Sequence, residues 1–508
     1  MAAATGGQEK THTFEQPSAL APSPLVQALP SFPDLLAEAS AAARRLEAAA
    51  ARRGDEEGVL SLALPLAPVD PLLLLPELGE PDDFRFLWDG APGLSLAATG
   101  RCQHLELSGP RRFALAQRFS HLTLERLGTG GEGGPPLARP RVLLAFAFFD
   151  SPLIAGSGAA GVEAVLPRWQ LSRQGNHCWL RLQRPLGGSV GARSVAEELW
   201  EKARRLERRA LVLAANGEEG HGPLPAGHGI GIRHASPWHA GYRLAVERAL
   251  ELVEGGDLRK LVLAVRQELL LDNELDPLSL LAHLRRSQPG SCRFLWQRSG
   301  REALLGASPE RLLTLRQGQL RSDALAGTAP RGANAAELLG SIKDRHEHAL
   351  VVETICAVLA RAGLAPRRPR HPRLARHGSL VHLHTPITAS LGNRPPLPLA
   401  ELLHPTPAVA GLPRREAMGW LRSLEPFERG NYAAPIGWID SSGDVDLRVA
   451  IRSGTLRGRR LELTAGAGLV PGSHPERELQ EVALKLGVLQ QQLSLAAPTG
   501  GGPTPRAS

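Results

Sequence analysis

The chain has 508 residues, a formal net charge of +8 and a hydrophobic content of 43%, which is ordinary for a globular protein. This length predicts one large or two moderate domains. The longest uninterrupted apolar run, Val142 to Phe149, is too short to cross a bilayer, so we expect no membrane span.

The basic charge suits either nucleic acid or a small anionic substrate. The most basic stretch, Arg367 to Arg376, is interrupted by proline and contains no Phe, Tyr or Trp. It therefore lacks the stacking surfaces that single-stranded nucleic acid requires. We expect no nucleic-acid partner, which leaves the small anion as the favoured interpretation.

Neither the N-terminus nor the cysteines indicate export. The N-terminus lacks a basic stretch followed by an apolar core, and Glu9 and Glu15 disfavour an organelle transit peptide. The cysteines show no CxxC or Cys/His ligand spacing, so neither a zinc site nor a disulfide framework is indicated. They stand far apart in the chain, at Cys102, Cys178, Cys292 and Cys356. We expect a cytoplasmic protein.

Composition divides the chain into four parts. Residues 1 to about 30 are rich in Ala, Pro, Ser and Gln and predict disorder, while residues 34 to 53 are rich in Ala and Arg and predict a solvated helix. Val142 to Phe149 predicts a buried strand. Asn216 to Gly229, rich in Gly, Pro and Glu, predicts a domain boundary. We predict an N-terminal extension over 1–56, an α+β part over 57–225, a second part over 226–495 and a disordered tail over 496–508.

Regular elements are clearest in the second part. Ser236 and Pro237 predict the N-cap and first turn of a helix that ends at Gly255-Gly256. Leu261 to Val265 predicts a short strand. A second helix is predicted from Leu338 to Leu359 and a last one from about Pro475 to Leu493. The predicted apolar side of the second helix consists of Leu338, Ile342, Ala349, Cys356 and Leu359.

Carboxylates recur at helical spacing on two of these helices. Asp344 and Glu347 lie three residues apart, away from the apolar side of the second helix, and Glu478, Glu481 and Lys485 share one face of the last helix. Two such helices could converge on a hard cation through oxygen ligands. Solvated helix faces are the commoner explanation of this pattern, and periodicity alone favours them.

Three further features invite a chemical interpretation. Lys260 precedes the strand Leu261 to Val265, and Glu310 follows the tight stretch Gly306 to Pro309. Lone charges at strand ends are usually solvated. Gly466-Ala467-Gly468 predicts a turn of small residues whose amides could hold an anion, although an ordinary tight turn is the simpler interpretation.

Taken together and in order, these residues resemble the chorismate-utilising enzymes, which include isochorismate, salicylate, anthranilate and aminodeoxychorismate synthases. The resemblance covers residues 236 to about 490, and more weakly the N-terminal part through Phe86-Leu-Trp88 and Pro167-Arg-Trp169. The motifs are Lys260-Leu-Val-Leu-Ala, Leu305-Gly-Ala-Ser-Pro-Glu-Arg-Leu312, Ala324-Leu-Ala-Gly-Thr328 with Arg331-Gly332, Ser341-Ile-Lys-Asp-Arg-His-Glu-His348, Val381-His-Leu-His-Thr-Pro386, His404-Pro-Thr-Pro-Ala-Val409, Ile436-Gly-Trp438, Ile451-Arg452, Ala465-Gly-Ala-Gly-Leu-Val-Pro-Gly472 and Glu478 to Lys485.

The resemblance implies a fold and a metal site. The fold is a two-part α/β sandwich of the α+β kind, with antiparallel sheets in the middle and helices outside. Glu347 and Glu481 would bind Mg²⁺, and Asp344 and Glu478 would hold its water ligands. The metal would clamp the ring carboxylate of chorismate.

The resemblance also implies residues that bind the rest of the substrate. Arg452, Lys485 and the amides around Ala467 and Gly468 would hold the enolpyruvyl carboxylate, because an Arg can pair with a carboxylate through two hydrogen bonds. The remaining residues implied to line the pocket are His382, Ala326, Gly327, Thr328 and Gly466.

The implied reaction converts chorismate to isochorismate. Water adds at C2 of the ring and the C4 hydroxyl leaves, so one group must take a proton and another must give one. Lys260 is the implied base and Glu310 the implied acid. The base must be neutral, which requires a lowered pKa, whereas the acid requires a raised pKa from desolvation.

Particular positions separate the members of the family. Anthranilate synthases have Gln at the position of Lys260 and use ammonia, and aminodeoxychorismate synthases have a nucleophilic Lys at the position of Ala326. Lys260 with Ala326 therefore favours isochorismate synthesis, with no glutamine amidotransferase subunit. Salicylate synthases share Lys260, but they tend to have a polar Thr around Ala408 and Val409. Val265 departs from the family, which usually has Arg there.

We therefore expect an isochorismate synthase that serves menaquinone or phylloquinone synthesis. A salicylate synthase with pyruvate-lyase activity is the nearest alternative. A non-catalytic relative that only binds chorismate is the alternative from another class. The presence of Lys260, Glu310, Glu347 and Glu481 together argues against this alternative, because a non-catalytic relative has no chemical need for all four.

Overall fold

The computed structural model of the protein describes residues 29–54, 58–90, 93–130, 135–152, 159–187, 189–215, 230–332 and 337–494. Residues 1–28 of the predicted disordered N-terminus, the predicted tail over 496–508 and the predicted boundary Asn216 to Gly229 lie outside the described residues. No helix in the described part of the chain is long and apolar enough to span a bilayer.

The described residues form eleven α-helices. They are α1 (Phe32–Arg53), α2 (Pro71–Leu78), α3 (Arg112–Glu125), α4 (Ala192–Ala215), α5 (His239–Glu254), α6 (Pro277–Ser287), α7 (Glu337–Gly340), α8 (Ile342–Arg361), α9 (Pro396–Leu403), α10 (Arg414–Leu424) and α11 (Pro475–Ser494). One 3₁₀ helix spans Pro136–Ala138.

Twenty strands accompany them in the same ranges. They are β1 (Gly58–Leu66), β2 (Arg85–Asp89), β3 (Ser95–Leu107), β4 (Leu127–Thr129), β5 (Arg141–Phe146), β6 (Val162–Gln174), β7 (His177–Leu186), β8 (Ile232–Ala235), β9 (Lys260–Leu271), β10 (Cys292–Ser299), β11 (Glu302–Ser308), β12 (Arg311–Arg316), β13 (Gln319–Pro330), β14 (Arg373–His377), β15 (Leu380–Ser390), β16 (Gly411–Leu412), β17 (Pro435–Asp440), β18 (Val445–Val449), β19 (Ser453–Arg457) and β20 (Arg460–Leu469).

The strands form two layers that share the long pair β3–β6. One layer runs β6–β5–β17–β18–β12–β13–β15–β14, and the other runs β3–β2–β10–β11–β19–β20–β9. Among the described strands every pairing is antiparallel except β1–β4. Strands from before and after the predicted boundary pair directly, as in β2–β10 and β5–β17.

An aromatic core fills the space between the layers. Phe86 and Trp88 of β2 point into it, while Leu87 between them packs in the separate main core, as strand alternation requires. Trp296 of β10 meets Phe86 edge to face, with ring centroids 5.9 Å apart. Trp438 of β17 completes this core from the opposite layer. The predicted sandwich of antiparallel sheets is therefore confirmed.

The helices cover the outer faces of the layers. Helix α8 packs on β13 and β15, and α11 packs on β20 beside α5 and α6. Helix α1 confirms the predicted N-terminal helix, but it is not solvated on all sides: Leu35, Ala39, Ala42 and Leu46 are buried against β1 and α4. The small alanine side chains allow this close packing.

Two local predictions about helix starts are wrong. Helix α5 begins at His239, and Ser236 does not cap it, because the Ser236 hydroxyl accepts a hydrogen bond from the Glu268 amide of β9 instead. The predicted helix from Leu338 is interrupted at Ser341, which is the N-cap of α8 and accepts from the Asp344 amide. The first difference arises from a tertiary contact with β9, whereas the second arises from a local N-cap within α8.

The predicted apolar side of α8 is also wrong. Ile342 is 87% exposed, whereas Glu347 and His348 are buried with Leu350, Val351 and Ile355. A carboxylate occupies the inner face because the helix packs over a polar cavity rather than over a continuous apolar core.

Candidate active site

A single cavity collects most of the side chains that the sequence singles out. It lies between β9, β13, β20, α8 and α11 and is formed from residues after 259. The predicted residues that line it are Glu310, Ala326, Gly327, Thr328, Glu347, His382, Arg452, Gly466, Gly468, Glu481 and Lys485. Lys260, Asp344, Glu478 and Ala467 lie outside this lining.

The strand pair β9–β20 fixes one wall of the cavity. Gly466 and Gly468 are not in a turn, as predicted, but continue β20 opposite Ala264 and Val262. The Val262 amide donates to Ala410 on the side away from β20, so the facing backbone groups of Gly468 also point away from β9. The Gly466 carbonyl follows this rule and accepts from Lys485 at 2.8 Å.

Ala467 therefore does not present its amide to the cavity. Successive strand residues direct their backbone groups to opposite edges, which turns those of Ala467 toward Leu263 of β9. Its side chain is buried in the main core. The amides of Gly466 and Gly468 face the open edge instead, because β19 pairs with β20 only as far as Thr464.

Gly468 leaves room for the buried ion pair of Lys260 and Glu347. A Cβ at position 468 would lie 2.2 Å from Glu347 Oε1 and 3.0 Å from Lys260 Cε, so no larger residue fits. Lys260 Nζ and Glu347 Oε1 are 2.9 Å apart, and the Lys260 side chain is fully buried. Lys260 is thus not the solvated strand-end charge that its sequence context makes commonest.

Glu310 is a buried carboxyl in the wall facing this pair. The Ser308 hydroxyl accepts from the Glu310 amide and donates to the Val449 carbonyl, which fixes the tight stretch between β11 and β12. Burial raises the pKa of Glu310 to about 7, although Lys260, the Thr406 hydroxyl and Arg452 act in the opposite direction. At neutral pH this carboxyl can therefore carry a proton and donate it.

Arg452 is held in an unusual backbone conformation beside His382. Its φ of +53° lies in the left-handed region, which is uncommon for a residue other than glycine and is often found at functional sites. Arg452 Nη2 lies 3.5 Å from His382 Nε2. Burial and the Arg452 charge lower the pKa of His382 well below its ordinary value, so we assign its proton to Nδ1, which donates to the Gly327 carbonyl.

Glu478 and Glu481 of α11 are each paired with a lysine. Lys485 Nζ lies 2.5 Å from Glu481 Oε1, and Lys343 Nζ of α8 lies 2.6 Å from Glu478 Oε1. Burial acts to raise the pKa of Glu481, but Lys485 and Lys343 hold it below its usual value. Burial raises the pKa of Glu478 to about 6, with Glu481 and Glu347 adding to the effect.

These carboxylates suit a hydrated hard cation better than a tight metal cage. The other oxygen of Glu478 is buried and has no hydrogen-bond partner among the described residues, and Asp344, Glu347, Glu478 and Glu481 influence one another electrostatically. Within the described residues no three His, Cys, Asp or Glu side chains converge as metal ligands. Mg²⁺ usually keeps several waters and uses one or two protein carboxylates, so this donor set fits it.

Sequence reasoning missed three residues at the site. Lys343 and Thr406 stand inside motifs quoted above, but their contacts with Glu478 and Glu310 depend on elements that are distant in the chain. Tyr432 lines the cavity, and burial raises its pKa to about 12. Composition offers one signal, because the chain has only two tyrosines and the other, Tyr242, donates to the Leu263 carbonyl beneath the same wall.

Some of the positions that distinguish family members line the cavity, and one does not. Ala408 and Val409 line the cavity and present apolar surface to it. Val265 is half buried against the main core, and its neighbour Arg266 stacks on Phe427; neither of the two lines the cavity.

The cavity is nearly closed in this state. Its free space is about 50 Å³, room for one or two waters at roughly 30 Å³ each. Glu347 and the ion pair Lys485–Glu481 line it, and Lys260 pairs with Glu347 from behind this lining. Side chains that line the cavity must therefore move to admit a ring-sized ligand.

The arrangement defines a receptor for a small polyanion with proton-transfer groups attached. Arg452 and Lys485 offer positive charge at one side, carboxylates suited to a cation lie beside them, and Glu310 and Lys260 carry exchangeable protons. A family model described as chorismate binding enzyme matches residues 44–494. The chain belongs to this family, and the predicted resemblance is confirmed.

Curated relatives extend the match across the chain. The salicylate biosynthesis isochorismate synthase of Pseudomonas aeruginosa is 33% identical over 452 residues, which cover 87% of this chain and 91% of that protein. Isochorismate synthase DhbC of Bacillus subtilis is 36% identical over 285 residues, which cover 53% of this chain and 71% of that protein.

Solved structures share the fold. The menaquinone-specific isochorismate synthase MenF of Escherichia coli superposes with a TM-score of 0.67 at 27% identity, covering 88% of this chain and 98% of that one. Anthranilate synthase component I of Streptococcus pneumoniae superposes with a TM-score of 0.62 at 18% identity, covering 78% and 92%, and at that identity it supports the fold alone.

We predict that Thr406→Val raises the pKa of Glu310 above about 7, because the Thr406 hydroxyl donates to Glu310 Oε1 and so favours the ionised carboxylate. The titration can be followed through the side-chain carboxyl signal in ¹³C-glutamate-labelled protein, assigned with Glu310→Gln. Thr314→Val is the control, since that hydroxyl donates to Asp446 outside the cavity. An unchanged or lowered midpoint in Thr406→Val contradicts the assigned contact.

Proposed function

We propose that the protein is an isochorismate synthase, which isomerises chorismate to isochorismate. The observation that carries this proposal is the pairing, at one cavity, of a buried lysine with a buried carboxyl whose pKa is raised to about 7. Membership of the chorismate binding family and the names of the relatives support it.

In the proposed reaction Lys260 takes a proton from a water as its oxygen bonds to C2 of the ring. The ring double bonds shift, the C4–O bond breaks, and Glu310 gives its proton to the departing hydroxyl, which leaves as water. Atoms and charge balance, because one water enters and one leaves. A proton must then return from Lys260 to Glu310, and the electrostatic effect of Lys260 on Glu310 is consistent with a short path between them.

The carboxylates of the substrate would bind at the two differently charged sides of the cavity. Arg452, Lys485 and the amides of Gly466 and Gly468 would receive the enolpyruvyl carboxylate. The ring carboxylate of the substrate would be held by Glu347 and Glu481 through Mg²⁺. When bound, this ion would supply the positive charge that lets two sets of anions approach each other.

In the free protein Lys260 Nζ lies 2.9 Å from Glu347 Oε1, so the lysine is engaged with this carboxylate. We infer that Glu347 would exchange its contact with Lys260 for the cation that it would hold, and that Lys260 would then be free to act as the base. Asp344 and Glu478 would accept hydrogen bonds from the ion's waters, a role for which the unpartnered Glu478 oxygen is suited.

A salicylate synthase is the second candidate within the same class. The apolar Ala408 and Val409 support arrest at isochorismate, because no hydroxyl at these positions assists breakage of the enolpyruvyl ether. Ala326 offers no nucleophile, so no amidotransferase subunit is expected. The quinone pathway is a prediction, since the relatives named above include enzymes of salicylate and of menaquinone synthesis.

Removing the acid or the base should slow turnover. Lys260→Ala and Glu310→Gln should each lower kcat on the order of 10² or more with little change in KM, since neither side chain is assigned to a carboxylate. In the wild type kcat should fall as pH rises through about 7, because Glu310 must be protonated, and Glu310→Gln should lose that limb. Glu268→Gln, on the same strand β9 but half exposed, is the control. Wild-type turnover in Lys260→Ala would remove this mechanism.

Removing a metal ligand should weaken Mg²⁺ binding. Glu481→Gln should nearly abolish turnover, and Glu478→Gln should weaken Mg²⁺ roughly 10- to 100-fold, as loss of an outer partner usually does. Calorimetric titration with Mg²⁺ and circular dichroism would separate binding from folding. Glu476→Gln is the control for both variants, because Glu476 lies on the same helix, α11, but is exposed and pairs with Arg243. A Glu481→Gln enzyme that works normally without extra Mg²⁺ would show the metal assignment to be wrong.

The product decides between the two candidate activities. Incubation with chorismate and Mg²⁺ should accumulate isochorismate by chromatography, with little salicylate or pyruvate and no aminodeoxychorismate even with ammonium present. A lactate-dehydrogenase-coupled assay without added isochorismatase measures the pyruvate. Pyruvate released at a rate comparable to chorismate loss would assign the protein to the salicylate synthases, and unchanged chorismate would favour a non-catalytic relative.

A further inference from the structure

A second cavity lies on the C-terminal half of α8 and shares no lining residue with the candidate active site. Its volume is about 600 Å³, within the usual range of small-molecule sites. We call it the arginine groove. The residues that define it are Arg259, Leu350, Glu353, Val358, Arg361 and Arg414.

Arg414 is fixed in place at one side of the arginine groove. Its guanidinium donates to the carbonyls of Leu402, Leu403 and His404 at the C-terminal end of α9. Burial lowers the pKa of Arg414 and Arg361 lowers it further, which places the two guanidinium groups near each other without a carboxylate to offset them. Two close cations of this kind favour an anion between them.

The positive charge of the arginine groove is not balanced by the protein. In the described part of the chain, Arg259 and Arg361 make no side-chain hydrogen bond or ion pair. Glu353 is the one acidic residue among those that line the groove, against three arginines. A bound anion would therefore gain attraction without displacing an existing partner.

The floor of the arginine groove is apolar. Leu350 and Val358 are buried at 3% and 7% exposure, and Pro407 is buried beside them. Guanidinium groups pair best with planar oxyanions, and an apolar floor favours a ring over a hydrated inorganic ion. We propose that the arginine groove binds a small aromatic or alicyclic carboxylate at a site separate from the catalytic cavity.

Such a ligand would contact the outer side of structures that line the catalytic cavity. Pro407 stands between Thr406, which donates to Glu310, and Ala408, which lines that cavity. Gly411 pairs with Leu261 next to Lys260, and the Arg259 amide donates to Leu412. Consecutive residues of this segment thus line the two sites, Pro407 the arginine groove and Ala408 the catalytic cavity.

The test is binding of 4-fluorobenzoate to the full chain, followed by ¹⁹F NMR, with 4-fluorobenzamide as the uncharged comparison. Arg361→Gln and Arg259→Gln should each weaken binding roughly fivefold, as expected for loss of one charge-assisted hydrogen bond near solvent. Arg415→Gln, an exposed neighbour of Arg414, should have no effect. Arg452→Gln, which alters the catalytic cavity, should leave binding in the arginine groove intact.

The proposal is overturned if 4-fluorobenzoate shows no saturable binding, if the benzamide binds as well, or if Arg415→Gln weakens binding as much as Arg361→Gln. It is also overturned if Arg452→Gln alone removes all binding, since the ligand would then occupy the catalytic cavity. No turnover is measured, so these outcomes are independent of the proposed reaction.

Discussion

Burial of opposite charges in pairs is the constraint on which the rest of this site depends. An isolated ion costs several kcal/mol to bury, so a buried carboxylate that is to stay ionised requires a cation nearby. Lys260–Glu347 joins β9 to α8, and Lys343–Glu478 joins α8 to α11, while Lys485–Glu481 lies within α11. The pairs therefore tie together the elements that surround the cavity. At Glu481 the nearby Lys485 and Lys343 outweigh burial and hold the pKa of the carboxyl below its usual value.

Two further charged side chains, Glu425 and Arg429, hold the other edge of strand β9. Glu425 accepts from the Ala264 amide, and Arg429 donates to the carbonyls of Val262 and Val409. Glu425 and Arg429 form a buried ion pair with each other, and loss of one partner of such a pair commonly costs about 3–5 kcal/mol. This pair joins the strand that carries Lys260 to the loop that presents Ala408 and Val409, so the base and the apolar wall keep a fixed relation.

The surroundings of two carboxyls in the same cavity shift their pKa values in opposite directions. Burial dominates the pKa of Glu310 and raises it, although Lys260, the Thr406 hydroxyl and Arg452 act to lower it. Glu481 is equally enclosed, but two lysines outweigh burial and lower its pKa. When the pKa values of two carboxyls differ in this way, a single site can contain both a proton donor and a permanent anion. The proposed roles of Glu310 as acid and Glu481 as metal ligand follow the same division.

The sequence by itself indicated the family through its ordered motifs, which are local properties of the chain, and the resemblance in turn implied the antiparallel sandwich and eleven residues of the cavity lining. It did not determine the inner face of α8, where Ile342 is exposed and Glu347 is buried, since periodicity assumes that the inside is apolar. The sequence pattern predicted a turn at Gly466 to Gly468, because small residues are common in turns. In the structure these residues continue β20, and the missing side chain of Gly468 leaves room for Glu347. The pairing of each carboxylate with a particular lysine, and the raised pKa of Glu310, arise only when distant elements pack, because desolvation and Coulomb attraction depend on distance in space and not on separation in the chain.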